Sequence, residues 1–354
     1  MMSIQTRKSI RMRDIAAELG VSVITVSNAL RNQGRISSQV RESVLKRAKE
    51  LNFRPNLTAR SLATGRSYLV GMIVPDLMHP FYAAIAKALA RNLRLKGYSL
   101  VISSSDEDSL IELQQVESLL ARRIDALVLA TCEHSKSSRV FRLLKEANAP
   151  YMLLDRPVPG INCHFVGSDD QAIGKLATAH LIEQGYRRIA HIGLSGPSTG
   201  SRRFQGYKAM MKKYGRSIDL NHVILVESGD ERGEDCGFTA MQKLLSLEPR
   251  PDAVFCYNDI IASGAEKAVL EAGHTIPGDV ALIGVSNLAG LCFWSSLRVP
   301  LTSVDQDVSQ LAASTASAIL EMQNRSSLFL PKRVLVPPKL VTRNSTEYHD
   351  RVNE

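Results

Sequence analysis

Residues 13–30 read RDIAAELGVSVITVSNAL, and the placement of their apolar side chains decides how the start of the chain folds. Ile15, Ala16 and Leu19 recur at helical spacing. Gly20 follows as a helix stop, because glycine tolerates the positive φ that ends a helix. Ser22 can cap a second helix, its hydroxyl accepting a backbone N–H. On that helix Val26, Ala29 and Leu30 fall on one side, and Ile24, Ser27, Asn28 and Arg31 on the other. Helix, short glycine-containing turn and capped helix together make a helix-turn-helix. A third helix is expected over Ser38–Leu51, capped by Ser37 or Ser38, with Val40, Val44, Leu45, Ala48 and Leu51 facing the core.

A helix-turn-helix leads its second helix into the DNA major groove, N-terminal residues first. Val23, Ile24 and Asn28 are then the base-reading candidates: Asn pairs with adenine, and apolar groups touch the thymine methyl. Ile24 points away from the apolar face, whereas Val23 fits either a base contact or the small core. Charge agrees with a polyanion partner. The first 66 residues hold 13 Lys/Arg against Asp14, Glu18, Glu42 and Glu50, while the rest of the chain has 31 bases and 31 acids. The whole excess of +9 therefore sits in the first fifth of the chain. Arg31, Arg35, Arg41 and Lys46 are candidates for phosphates, which orient a protein on DNA without reading sequence.

Beyond Ser67, short apolar runs alternate with helical patterns. YLVGMIVP, YSLVISS, DALVLA and PYMLLD read as buried strands, with helices near 80–96, 109–122 and 135–147. The rhythm restarts with HFVGSD, RRIAHIG, HVILVE, DAVFCYND and VALIGVS. Such alternation implies an α/β fold with parallel sheets, here two doubly wound lobes with a cleft between them. Neither a G-x-G-x-x-G turn after the first strand nor a P-loop is present. Ligands of open α/β sheets bind beyond the carboxyl ends of strands. Asp76, Phe81 and Tyr82, Asp155 and Arg156, Asn258 and Asp259, and Ser286 and Asn287 collect at those ends. Carboxylates, amides and an arginine around an aromatic suit a sugar, a sugar acid or a nucleobase. Asp155 and Asp259 fit helix caps equally well.

Between the two parts lies ELNFRPNLTARSLATGRS, residues 50–67, in which Pro55 and Gly65 bracket a short helix over Leu57–Ala63. This linker, the V-S-x-x-T-V-S core (Val21, Ser22, Thr25, Val26, Ser27) and the α/β body resemble the lactose-repressor (LacI/GalR) family from about Met12 into the 340s. The resemblance implies a DNA-binding set of Ser22, Val23, Ile24, Thr25, Ser27, Asn28 and Arg31, joined by Arg60 and Leu62 of the hinge. Leu62 matches the family leucine that wedges into the minor groove, a known kinking device. It further implies a body similar to periplasmic sugar-binding proteins, holding an effector through Phe81, Tyr82, Asp155, Arg203, Asn258, Asp259, Ser286 and Gln306. Trp294 falls near a cleft wall.

Two departures bear on the ligand. The family's G-[FY]-D reads Gly284-Val285-Ser286 here, and the loop Gly196–Arg203 is shorter than usual, leaving Arg202 and Arg203 as rivals for one role. Losing a carboxylate while keeping Arg156 and Arg203 favours an anion, such as a sugar acid.

The expected organisation is a DNA-binding domain over 1–55, a hinge over 56–67, a two-lobed effector and dimerisation domain over 68–345, and a tail over 346–354. Its partners are a palindromic double-stranded operator, a small-molecule effector and a second copy of the chain. No catalytic residue, metal or cofactor is expected: the five cysteines form no C-x-x-C pair, and the scattered Ser, His and Asp residues are not read as a nucleophile constellation. Nor is there an apolar leader or a membrane-spanning run, so a cytoplasmic location is expected. The rival readings are a secreted solute-binding protein, which the basic N-terminal part opposes, and a sugar-modifying enzyme.

Overall fold

The computed structural model describes residues 10–30, 32, 34–53, 61, 64–227, 233–291, 297–323 and 330–347. The chain divides into two compact units, Met1–Ser67 and Tyr68–Glu354.

The first unit contains α1 (Met12–Leu19), α2 (Val23–Leu30) and α3 (Ser38–Glu50). Asp14 accepts a hydrogen bond from the Arg11 backbone at 2.7 Å, fixing the start of α1. Gly20, at φ +63°, ends it and returns its N–H to the Ala16 carbonyl. The Ser22 hydroxyl accepts from the Thr25 backbone at 3.0 Å and caps α2; Ser37 caps α3. Ile15, Ala16, Val26, Ala29, Val44 and Ala48 form the core. Leu45, expected in that core, is instead 46% exposed. It lies about 100° around the helix from Val44, and the stripe Val40–Val44–Ala48–Leu51 already fills the contact face. Arg47 ties α3 to α1 through Glu18 and also pairs with Glu50 at 2.9 Å.

The second unit holds two six-stranded sheets. The N-lobe contains β1 (Leu69–Val74), α4 (Pro80–Arg94), β2 (Ser99–Ser104), α5 (Ser109–Ala121), β3 (Ala126–Leu129), α6 (Arg139–Glu146), β4 (Tyr151–Leu154) and β5 (His164–Ser168). The C-lobe follows with α7 (Asp170–Glu183), β6 (Ile189–Leu194), α8 (Ser198–Lys213), β7 (Val223–Val226), α9 (Gly233–Leu245), β8 (Ala253–Cys256), α10 (Asp259–Glu271), β9 (Ala281–Val285) and β10 (Thr302–Asp305). The chain then re-enters the N-lobe with α11 (Val308–Met322) and β11 (Arg333–Val336), and ends in the C-lobe with β12 (Lys339–Val341). The sheet orders are β11-β5-β4-β3-β1-β2 and β12-β10-β9-β8-β6-β7. All pairings are parallel except that of β12 with β10. Helices cover both faces, so β3, β5, β8 and β9 are buried throughout, and β3, β8 and β9 read as unbroken apolar runs.

The sequence pattern gave the two lobes but not the threading. Three crossovers, near 168–170, 305–308 and 336–339, join the lobes. Val308, Leu311, Ala312 and Ile319 of α11 pack into the N-lobe core beside Phe81, Ile85 and Leu89 of α4. The packed body also runs into the segment read as a tail. Ser345 and Thr346 are buried: Ser345 donates to the Leu282 carbonyl at 2.6 Å, and Thr346 lies 2.8 Å from the His180 ring and 2.7 Å from Thr302.

Candidate functional site

On the first unit, the start of α2 presents apolar side chains to solvent. Ile24 is 72% and Val23 44% exposed, while Val26 and Ala29, on the opposite face, are buried. Val23 therefore belongs to the surface and not to the small core. Ser22, exposed, shares a 2.8 Å hydroxyl–hydroxyl bond with Thr25, so both residues serve the cap. Ser27 and Asn28 are half-buried, and Asn28 lies against the turn at Gly34, whose φ is +75°. Exposed apolar groups beside polar ones at a helix N-terminus are what base-edge contact requires. Arg31, Arg60 and Leu62, like most of the hinge and Trp294, lie outside the described residues.

On the second unit, the strand ends of the two lobes bring a polar cluster together. From the N-lobe come His79, Phe81 and Tyr82 at the start of α4, with Asp155 and Arg156 after β4. Their aromatic rings meet edge-on, Phe81 and Tyr82 at 5.3 Å and His79 and Tyr82 at 5.6 Å between centroids. Asp155 has φ +65°, and the Arg156 N–H bonds the Leu154 carbonyl at 2.7 Å across it. That is a three-residue turn with a left-handed centre, a strained geometry that folds retain where a side chain must be aimed. The turn brings the Asp155 Oδ2 within 2.9 Å of the Tyr82 hydroxyl, which donates to it. Oδ1 of Asp155 and Nε of Arg156 are buried without a hydrogen-bond partner. Burial pushes the Tyr82 hydroxyl well above its ordinary range, so it keeps the proton it donates. Arg156 sends both ends of its fork to Glu107, at 2.9 and 2.7 Å.

From the C-lobe come Asp170, Thr199, Arg203, Tyr257 and Asn258. Arg203 donates from Nε to Asp170 at 2.9 Å and from Nη1 to the Tyr257 carbonyl at 2.7 Å, with its guanidinium 4.3 Å over the Tyr257 ring. It is Arg203, not the half-buried Arg202, that enters the cluster. Glycines allow this: a Cβ on Gly174 would lie 2.0 Å from the Arg203 carbonyl, so only glycine lets α8 lie this close to α7. Burial pushes the Asp170 carboxyl up, and Arg203 opposes it. The guanidinium keeps its proton, and its charge 2.9 Å away favours the ionised carboxylate against that burial. The lobes meet where the Asn258 amide nitrogen lies 3.3 Å from His79 Nε2, while the Asn258 oxygen caps α10 through Ile261 at 2.8 Å. Burial, then Arg156 and Arg203, lower the His79 pKa to about 4, so its ring is neutral.

Asp259 plays a different part from the one expected. One oxygen accepts from the Ser303 hydroxyl and the other from the Leu288 backbone, both at 2.7 Å, and the side chain is packed against Gly284. With both oxygens satisfied inside its own lobe, Asp259 ties α10 to β10 and to the 288–291 turn and does not offer itself to a ligand. Burial raises its pKa to about 7. Ser286 and Gln306 bond each other at 2.9 Å, and Gln306 reaches Ser168 at 3.1 Å, so these residues bridge two of the three crossovers. Sequence reasoning missed Asp170, Tyr257, Glu107 and His79. The doubled acid of SDD, Asp169 and Asp170, held a usable signal: the first caps α7, leaving the second free to pair. Glu107, in an acidic surface-like run, gave none.

Among the described residues no group of side chains could hold a metal ion, and no helix is long and apolar enough to cross a membrane.

Comparison with known proteins agrees with this architecture. Residues 11–56 match the family described as bacterial regulatory proteins, lacI family. Residues 67–342 match the family of periplasmic binding proteins and sugar binding domain of LacI family. The chain is 31% identical over 337 residues to a ribose operon repressor of Halalkalibacterium halodurans, covering 95% of this chain and 97% of that protein. Among solved structures it resembles a transcriptional regulator CelR–cellobiose complex at 27% identity and a TM-score of 0.71, over 95% of this chain and 99% of the other. It shares its fold with the lac repressor dimer bound to operator and an anti-inducer, at 24% identity and a TM-score of 0.79, over 96% and 99% of the two chains. The chain belongs to the LacI family of bacterial DNA-binding transcriptional regulators.

Proposed function

We propose that this chain is a repressor that binds a palindromic operator as a homodimer, in the cytoplasm and without catalytic activity, and whose grip is set by a small hydroxylated metabolite held between the lobes of its body. The observation that carries the effector site is the buried, unpartnered Oδ1 of Asp155, at a strained turn among aromatic rings and facing groups of the second lobe. A buried carboxylate oxygen without a partner is costly, and a ligand hydroxyl would satisfy it. The exposed Val23 and Ile24 at the head of α2 support reading of base edges, with Asn28, Ser22, Thr25 and Ser27 beside them. The names of the relatives, a ribose operon repressor and a cellobiose complex, support a sugar-like effector.

The sequence favoured a sugar acid on the strength of Arg156 and Arg203. Each of these arginines is already engaged with a carboxylate, so that argument loses its footing. Ser286 and Gln306 then serve as neutral groups at the crossovers, where an effector shifts the balance between open and closed lobes only by binding one better than the other.

The test is selection from a genomic DNA library by the purified protein at two salt concentrations. Enrichment of a palindrome that weakens steeply with salt, as counterion release requires, is the expected result. No enrichment, with or without a metabolite extract, would overturn the repressor reading.

A further inference from the structure

We infer that Glu107 closes the cleft to anions and, together with Asp170, makes it a site for an uncharged ligand bearing neighbouring hydroxyls. The inference rests on the reading of the cleft as the effector site. Its basis is the pairing of charge in the cluster. Arg156 and Arg203 are the two guanidinium groups there, and each meets its own carboxylate, Glu107 in a two-bond fork and Asp170 at 2.9 Å. Asp155 is left as the surplus negative charge, with Oδ2 taken by Tyr82 and Oδ1 open. Between lobes of low dielectric a ligand carboxylate, the fourth in the cluster, gains little from cations that are already neutralised and is repelled by Asp155.

The open valences describe the ligand. Oδ1 of Asp155 needs a donor and Nε of Arg156 needs an acceptor, on consecutive residues of one turn. A hydroxyl both donates and accepts, so two neighbouring hydroxyls satisfy both atoms; a carboxylate can only accept. The nearby rings of Phe81 and Tyr82 offer an apolar wall for the ring carbons.

Glu107 is singled out by its backbone. Asp106 and Glu107 stand consecutively at φ +51° and +54°, a left-handed pair without a glycine. Single residues visit this region at a cost, and two in a row persist only where something holds them. The fork to Arg156 holds this loop together with local bonds, among them the Glu107 N–H to the Pro75 carbonyl at 3.3 Å and the Asp106 N–H to the Ser104 hydroxyl at 3.4 Å.

The experiment uses the full-length protein and a panel of neutral monosaccharides with their matched aldonic and uronic acids, followed by thermal shift and titration calorimetry. Wild-type protein should bind at least one neutral sugar and none of the acids; an acid that binds, or a panel in which no neutral sugar binds, overturns the inference. Glu107→Gln should gain about tenfold or more in affinity for the acid matched to the bound sugar. Glu107→Asp keeps the charge and should restore rejection of the acid. A Glu107→Gln protein that folds, binds operator and still rejects the acid removes Glu107 from this role. Asp155→Asn separates the two ideas: if the sugar binds it at wild-type affinity, the ligand lies elsewhere and the effector-site reading fails, whatever its charge preference.

Discussion

The Tyr82 hydroxyl donates to Oδ2 of Asp155 at 2.9 Å, joining the first turn of α4 to the turn after β4. The bond fixes the carboxylate so that its other oxygen faces the cluster. Tyr82→Phe should therefore weaken effector binding by about tenfold, the worth of a hydrogen bond to a charged acceptor at roughly 1.5 kcal/mol. Operator affinity without effector should stay within about twofold, because nothing in the DNA-binding unit is touched. Calorimetry with the effector and a gel-shift titration without it check the two halves.

Arg203 and Asp170 form a buried pair, and buried pairs are sensitive to losing one member. Arg203→Met and Asp170→Asn should each destabilise the body by about 3–5 kcal/mol, because each leaves one group buried without its partner. The double variant should cost less than the sum of the two, a coupling that urea denaturation of all four proteins would measure. Simple additivity would mean that the two side chains do not depend on each other.

Two neighbours on α2 should behave oppositely. Ile24→Ala removes an exposed side chain and should leave stability within about 0.5 kcal/mol, while lowering operator affinity about fivefold through lost apolar contact with the groove. Val26→Ala hollows the small core and should cost about 2 kcal/mol of stability. A loss of stability at Ile24 comparable to that at Val26 would place Ile24 in the core after all.

His191 sets an acid limit on the C-lobe. Its ring is stacked among Phe204, Tyr207 and Phe255, and its Nδ1 bonds the Phe255 carbonyl at 2.9 Å. Burial lowers its pKa to about 4, from an ordinary 6.5. A folded-state pKa below the unfolded one means that stability is fully present above about pH 6.5 and is lost as the pH falls toward 4. The loss from this residue is on the order of 3 kcal/mol. His191→Phe should flatten the decline in melting temperature over that window; an unchanged slope would show that other groups drive it.

Much of this was legible before any coordinates. Gly20 and Ser22 mark the turn of the helix-turn-helix because a left-handed stop and a capping hydroxyl are local chemistry, written within a few residues. The buried strands announce themselves as runs such as ALVL and ALIGV. The return of α11, β11 and β12 was not legible, because VSQLAASTASAILEM reads as an ordinary helix and nothing in it says which lobe it packs on. The same holds at the site. Asp155 and Arg203 lie in the polar cluster, but their surroundings there, Glu107 on Arg156 and Asp170 on Arg203, come from stretches distant in sequence. Asp259, next to Asn258 in sequence, turns out to be satisfied inside its own lobe. A residue's neighbours along the chain reveal its cap; its partner across the fold appears only when the sheets are assembled.

The threading of the body has a consequence for synthesis. The three helices of the first unit complete their core by residue 53, from contacts close in sequence, and such a unit folds quickly. Neither lobe of the body can do so. The N-lobe lacks its outer strand until Arg333–Val336 is made, and the C-lobe lacks its own until Lys339–Val341. On the ribosome, at roughly 5–20 residues per second, the DNA-binding unit therefore exists in folded form for many seconds before either effector-binding lobe is complete. A chain cut short before Arg333 would leave both sheets with a raw edge, open to pairing with another unfinished copy. Quality control over this protein thus falls on its final strands, and a frameshift there would damage regulation and solubility together while leaving the DNA-binding unit intact.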